Sequence, residues 1–267
     1  MKICAVIPCH NHGGTLAGVL GALPRGLQAL VVDDGSSQAV RLQAEKFAAQ
    51  YFEHEDFGAA CRAAEGGLFG GGGGECGICV LRLKKNCGKA AALKAGFAFA
   101  RALGATHALT IDADGQHPGA SVPEMIAAAR ANPDSIIVAA RDFASASVPR
   151  ARRFMNAFSN FWFWAETGAR LGDTQCGLRV YPLRLVESLD LPFGGFVFEA
   201  ELLVKAAWAG CKFAQVKIPA LYSEESLRES HYRPVADTLK FTMMNTRLFF
   251  EALFLSKSTL RRIALKK

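Results

Sequence analysis

Asp112-Ala113-Asp114-Gly115-Gln116-His117-Pro118 follows directly on the apolar run Ala108-Leu109-Thr110-Ile111. Two carboxylates at i and i+2 leaving a strand project to one side of the backbone, so both can reach a single hard divalent cation. Gly115 allows the sharp turn that such a loop needs. A dication held by one or two carboxylates keeps coordination positions for water and for phosphate oxygens, so this spacing reads as metal plus phosphate chemistry. The competing reading is an ordinary strand-to-helix loop, with Asp114 capping a helix and Asp112 solvated.

The elements around this loop must decide. Ile3-Cys4-Ala5-Val6-Ile7 reads as a strand buried on both faces, with a loop from Pro8 to Gly14 feeding a helix near Thr15 to Leu23. A strand at Ala29-Leu30-Val31-Val32 ends in the turn cluster Asp33-Asp34-Gly35-Ser36-Ser37, and a helix is predicted from about Gln38 to Tyr51. The glycine-rich stretch at about 58–77 reads as an insertion; it lacks the Lys-Ser/Thr of a phosphate-binding P-loop. Ile78 to Leu83 is the next strand, Gly88 to Leu103 an Ala-rich helix, His107 to Ile111 the strand presenting the aspartates, and Ile136 to Ala139 a further strand. Strand and helix alternate, which predicts a largely parallel sheet covered by helices. Ligands of such sheets collect beyond the carboxyl ends of the strands, where Pro8 to Asn11, Asp33 to Ser36 and Asp112 to Gln116 all fall.

Composition narrows the class. The chain has 267 residues, 51% of them hydrophobic, which supplies a sizeable core and excludes general disorder. A net charge of +7 calls for an anionic partner: nucleic acid, an acidic membrane surface or a phosphate-bearing substrate. Nucleic acid fits poorly, since Asp33, Asp34, Asp112 and Asp114 would crowd the strand ends and repel a phosphate backbone. Eight cysteines lie mostly in apolar segments, and Met1-Lys2 runs into a strand without a signal-peptide pattern, so a cytosolic chain with reduced thiols is expected. Cys76-Gly77-Ile78-Cys79 lacks the second ligand pair of a structural zinc site.

Beyond residue 140 aromatic and basic residues gather. Arg150, Arg152 and Arg153 precede Phe154, Phe158, Phe161 and Trp162 at helical spacing, with Phe163 and Trp164 off that face. This suits either core packing and dimer contact or a helix at a membrane interface. From Val235 onward an amphipathic helix is predicted, followed by Lys257, Arg261, Arg262, Lys266 and Lys267. Such an end suits an anionic lipid surface; the alternative is a solvated, frayed terminus. No uncharged apolar run of about 18 residues occurs.

The ordered segments Val6-Ile7-Pro8-Cys9-His10-Asn11, Val31-Val32-Asp33-Asp34-Gly35-Ser36-Ser37, Asn86-Cys87-Gly88-Lys89-Ala90-Ala91-Ala92, Asp112 to Pro118, Ala140-Arg141-Asp142-Phe143 and Gly172 to Arg179 resemble the family 2 glycosyltransferases. Within that family they are similar to the dolichyl or polyprenyl phosphate mannosyltransferase-like group. The resemblance covers roughly residues 1–220, with 221–267 as a basic amphipathic extension. It implies a GT-A fold, a Rossmann-like mixed and mostly parallel sheet flanked by helices, here with C-terminal amphipathic helices. It also implies sugar transfer from a UDP- or GDP-linked donor with inversion.

By the same resemblance Asp112, Asp114 and Gln116 would hold Mg²⁺ or Mn²⁺. Pro8, His10, Asn11, Asp33, Asp34, Asn86, Lys89, Asp112 and Ala113 would meet the nucleotide sugar. Asp114, Arg141 and Glu201 would be catalytic, and Arg150, Arg228, His231 and Arg233 would face the acceptor or its phosphate. Two places depart from the family pattern. The opening loop Pro8-Cys9-His10-Asn11-His12 has His10 where a base-stacking tyrosine is usual, and Ser226 to Pro234 replaces the usual downstream Arg and Ser-Lys pattern.

A sugar hydroxyl must lose a proton as it attacks and needs a carboxylate base, whereas an ionised lipid phosphate needs none. Neither Glu199 nor Glu201 is followed by the Asp of the family's acidic base pair, which favours a polyprenyl phosphate acceptor. A saccharide hydroxyl acceptor with Glu201 as base, and a sugar nucleotidyltransferase, are the alternatives. A lipid-phosphate acceptor would put the enzyme peripherally at the inner face of the cell membrane.

Overall fold

In the computed structural model, residues 1–38, 44, 46, 50–53, 77–115, 119–143, 148–220 and 234–266 are described. Gln116, Arg228, His231, Arg233, Cys76 and the glycine-rich insertion lie outside them, as does most of the helix expected after Gln38.

Eight strands form one sheet among the described residues: β1 (Ile3–Cys9), β2 (Gln28–Asp34), β3 (Gln50–Glu53), β4 (Ile78–Leu83), β5 (His107–Thr110), β6 (Ser135–Arg141), β7 (Arg179–Pro182) and β8 (Lys212–Ile218). Their spatial order is β3-β4-β2-β1-β5-β7-β6-β8. All neighbours are parallel except β7, which runs antiparallel to both β5 and β6. The mixed, mostly parallel GT-A sheet expected from the resemblance is therefore present. One boundary differs: Gln50 and Tyr51, expected to end a helix, pair with Cys79 and Val80 as the start of β3. Tyr51 and Phe52 suit an edge strand, and tertiary pairing overrides the weak helical pattern there.

Strand alternation divides the core between the two faces. Cys4, Val6, Leu30 and Val32 enter one cluster, and Ala5, Ile7, Ala29 and Val31 the other. The second face is covered by α1 (Gly13–Gly21), through Leu16 and Val19, and by α3 (Val122–Ala131), through Val122 and Met125. On the first lies α2 (Lys89–Ala102), which approaches so closely that a Cβ on Gly96 would come within 2.5 Å of Val6 Cγ1. Its alanines follow from that approach, since bulky side chains would push the helix off the sheet.

The same face carries α4 (Arg150–Thr167), α5 (Leu183–Ser188), α6 (Phe198–Trp208), α7 (Pro234–Phe254) and α8 (Lys257–Ala264). Met244 and Leu248 of α7 and Leu260 and Ala264 of α8 are buried in the core of that face. The C-terminal segment, for which a frayed terminus was the alternative reading, is tied down: Asp190 N–H donates to Ala264 O (2.9 Å) and Lys205 Nζ to Ile263 O (3.0 Å). No helix among the described residues is long and apolar enough to cross a membrane.

Candidate active site

The carboxyl ends of β1, β2, β4, β5 and β6 lie along one edge of the sheet, and β7, being antiparallel, begins there. That edge gathers the loops after these strands, Arg179 at the start of β7, and the start of α6.

At the β1–β2 end the loops are held by a closed polar network. Asn11 sits at φ 59°, a left-handed conformation that Asn tolerates, and its N–H donates to Ser36 Oγ (3.0 Å) while its Oδ1 accepts from Ser37 N–H (2.9 Å). Asn86 Oδ1 accepts from Gly88 N–H (3.0 Å). Both amides are thereby oriented so that their NH₂ groups donate to His10 Nε2, at 3.1 Å from Asn11 and 2.9 Å from Asn86. His10 Nδ1 must then carry the proton, which it donates to Asp34 O (2.7 Å). The residue expected to replace a stacking tyrosine is locked in one tautomer by its neighbours.

Asp33 and Asp34 are 1% and 3% exposed, and every oxygen of the two carboxylates already accepts a hydrogen bond from the chain. Asp33 Oδ1 takes Ser36 N–H (2.9 Å) and Oδ2 is ion-paired to Arg82, whose Nη2 also donates to Ser36 O (3.2 Å). Asp34 accepts from Cys87 N–H and Gly88 N–H, both at 2.7 Å. The two aspartates thus fix the turns at this corner of the sheet edge. Arg82 went unnoticed in the sequence, although one cation in the apolar strand Ile-Cys-Val-Leu-Arg-Leu, in register with Asp33, is the signal for it.

At the β5 end, Asp112 and Asp114 leave the sheet on either side of Ala113, whose carbonyl accepts from Thr15 Oγ1 (2.5 Å). Gly115 then turns the chain at φ 73°. Asp112 lies against Gly177 so closely that a Cβ there would collide with the carboxylate. Lys89, the first residue of α2, places Nζ 2.8 Å from Asp112 Oδ1 and 2.7 Å from Glu199 Oε2. Burial alone would depress this ammonium, but the two carboxylates outweigh it and hold Lys89 above the usual lysine range. Its ammonium is thus turned toward Asp112 and Glu199.

Glu199 is the acid that sequence reasoning passed over. It sits beside Arg179, which is 1% exposed and donates to Glu199 O (3.2 Å), Thr174 O (2.8 Å) and Tyr181 Oη (3.0 Å). Glu201 is elsewhere: fully buried, its Oε2 accepts from Phe193 N–H (3.0 Å), and burial pushes its acid up to about 7 despite that bond. Residues two apart on a helix point about 200° away from each other, so one of the pair had to face away from the site.

Arg141, at the end of β6, is clamped by Asp173 through Nε–Oδ2 (2.6 Å) and Nη2–Oδ1 (3.1 Å), and stacks 5.1 Å over the Phe143 ring. Asp173 also accepts from Gln175 N–H and Cys176 N–H, so it orders the loop entering β7. Arg150 opens α4 at the same sheet edge and is exposed. Cys79 is buried in β4, and burial pushes its thiol up to about 12, away from the thiolate a ligand would need.

The profile of the Glycosyl transferase family 2 matches residues 4–188, from β1 through α5. The chain belongs to this family. As a family 2 glycosyltransferase it is 25% identical to the undecaprenyl-phosphate mannosyltransferase of Micrococcus luteus over 238 residues, 86% of this chain and 87% of that one. Its fold is similar to that of the mannosyl-3-phosphoglycerate synthase of Rubrobacter xylanophilus, with TM-score 0.61, 18% identity, and 95% of this chain against 74% of that one. It is also similar to the glucosyl-3-phosphoglycerate synthase of Mycobacterium tuberculosis, crystallised with Mg²⁺ and UDP, with TM-score 0.57, 17% identity, and 96% of this chain against 80% of that one. The glycosyltransferase fold and the transferase class expected from the sequence are thereby shown.

Proposed function

We propose that this enzyme transfers a hexose, with inversion, from a UDP- or GDP-linked donor to the phosphate of a polyprenyl phosphate, working peripherally at the inner face of the cell membrane. The observation that carries the acceptor reading is the state of the two glutamates. Glu199 is held against the Lys89 ammonium, and Glu201 is sealed against Phe193 N–H. A carboxylate paired with a cation is a weak proton acceptor, and a buried one is out of reach of substrate. An acceptor that arrives ionised avoids the need for either. The likeness to a named undecaprenyl-phosphate mannosyltransferase supports the same reading.

A hard dication fits the donor set of Asp112 and Asp114, with Gln116 completing the motif outside the described residues. Asp112, with its carboxylate packed on a glycine and one oxygen facing a cation, is already arranged as a seat for positive charge. When bound, Mg²⁺ or Mn²⁺ would neutralise charge on the departing diphosphate.

The chain's own groups divide the remaining work. Pro8, His10, Asn11, Asn86 and the turns fixed by Asp33 and Asp34 shape the nucleoside corner. Lys89 brings a second cation to the phosphate side, next to Ala113 and the aspartates. Arg141 and Arg150 stand at the edge where an acceptor phosphate would approach, with Arg228, His231 and Arg233 assigned to the same acceptor. The guanidinium fork suits a phosphate.

The test is transfer by the purified chain from a panel of UDP- and GDP-sugars to a polyprenyl phosphate or to soluble saccharides, with Mn²⁺ or with EDTA. Product on the lipid phosphate in Mn²⁺ alone is expected. Transfer to a saccharide hydroxyl would overturn the acceptor assignment, and transfer undiminished in EDTA the metal assignment.

A further inference from the structure

The chain exposes an aromatic surface that its own core does not use. Along α4, Phe154 and Phe158 stack with centroids 6.2 Å apart, and Phe158 meets Trp162 at 6.1 Å. Trp162 crosses to Phe249 of α7 at 5.8 Å, and the series continues through Phe250 (5.9 Å) to Phe254 (6.0 Å). Six rings thus form an unbroken ribbon over two helices. Much of it faces outward: Phe154 is 68% exposed, Phe250 51% and Phe254 74%, and Met243 (63%) and Leu253 (60%) are exposed on α7 as well. A patch of this kind marks a place that something else covers.

The charges at its ends indicate what. Arg150, Arg152 and Arg153 lie directly before Phe154, and exposed Lys257, Arg261 and Arg262 follow Phe254 on α8, whose buried side is formed by Leu260 and Ala264. The only acidic residue in α4 and α8 is Glu166, which is 3% exposed. Rings that bury in the acyl boundary, flanked by cations that meet headgroups, are complementary to an anionic bilayer. A second copy of the chain fits less well, because a two-fold contact would bring one basic end against another in either orientation. The ribbon also adjoins the candidate site, since α4 starts at the sheet edge that gathers its loops.

We infer that the α4–α7 aromatic ribbon is the surface by which this enzyme docks on an anionic lipid bilayer. The inference rests on the lipid-phosphate reading above and adds to it the face that meets the membrane.

The full-length chain, sedimented with phosphatidylcholine vesicles with or without phosphatidylglycerol, should bind only the anionic ones, and less as salt rises. Phe154→Ser with Phe254→Ser should weaken that binding at least about tenfold, since each ring removed costs more than the 1.4 kcal/mol of one decade. Arg261→Gln with Arg262→Gln should weaken it too, and both doubles should keep the wild-type melting temperature. No binding to anionic vesicles would overturn the inference, as would a Ser double that binds like wild type, or a wild-type dimer that the Ser double makes monomeric. Vesicle binding needs neither donor nor turnover, so a chain that binds but transfers nothing to lipid phosphate defeats the functional reading alone. A chain that transfers to solubilised lipid phosphate but never binds vesicles defeats this inference alone.

Discussion

Lys89 Nζ and Asp112 Oδ1 are 2.8 Å apart, so the first carboxylate of the Asp112/Asp114 pair is neutralised by an ammonium from the N-terminus of α2. Glu199 shares that ammonium at 2.7 Å. Arg179 Nη1 stands 3.9 Å from Glu199 Oε1 on its other side, so it is only with Asp114 counted that three acids face two cations, a balance that a dication would relieve.

Replacing Lys89 tests this balance. Lys89→Met takes the counter-charge from Asp112 and leaves Glu199 with Arg179 alone, and the partial exposure of Lys89, Asp112 and Glu199 moderates the cost to about 1–3 kcal/mol. Thermal melting should show the variant below wild type in EDTA, with a larger rise on adding Mn²⁺. Equal melting curves at every Mn²⁺ concentration would remove the counter-ion role.

Asp112→Asn and Asp114→Ala should each lower transfer by about 100-fold or more, the scale found when a group stabilising developing charge is lost. UDP should then stop raising the melting temperature in the presence of Mn²⁺, because a ligand stabilises a fold only as far as it binds. A variant that keeps both the rate and the UDP shift would free that aspartate of the assignment.

Gly177→Ala separates site from fold. The added methyl would meet the Asp112 carboxylate, the movable end of a side chain, so the cost in stability should stay under about 1 kcal/mol while the carboxylate is pushed aside. Transfer and Mn²⁺ affinity should both fall about tenfold or more, for which a displacement of 1 Å is ample. Unchanged affinity, measured by calorimetry, would mean that the placement of Asp112 is not critical.

Glu166 gives the fold a pH dependence. It lines a small cavity with Ser159, Thr174 and Asn245, neither of its oxygens has a hydrogen-bond partner among the described residues, and burial pushes its acid up to about 9. A carboxyl that holds its proton more tightly folded than unfolded stabilises the native state fully below the unfolded value of 4.5, and that contribution is lost as pH rises toward 9. Stability should fall across this window by up to about 1.4 kcal/mol per pH unit. Glu166→Gln should flatten the slope in denaturant titrations at pH 5, 7 and 9; an unaltered slope would assign it to other groups.

The sheet and the positions of its ligand loops could be read in advance because they rest on local signals: short apolar strands, turn clusters and an alternating order. Asp112 was singled out by its spacing, Lys89 and His10 by the family resemblance, and the fold brings all three to one edge of the sheet. The antiparallel β7 was not, since Arg179-Val180-Tyr181-Pro182 carries no mark of direction, and a strand of four residues offers little periodicity. The roles of Asp33, Asp34 and Arg141 were only half legible. Their loop placement followed from sequence, but the partners that occupy them, Arg82, Gly88 and Asp173, are 49, 54 and 32 residues away and meet them only through sheet register. Glu199 was hidden behind Glu201 because spacing along a helix gives its faces without saying which one looks inward.

The bonds from Asp34 to Cys87 and Gly88 join segments 53 and 54 residues apart, and His10 ties a third segment to both. No partial set of strands can form this corner, because β1, β2 and β4 must already be aligned before those three loops touch. On the proposed function, capture of the donor nucleotide by a refolding or nascent chain would therefore report that the central sheet has closed, making the ligand itself a sensor of completed assembly.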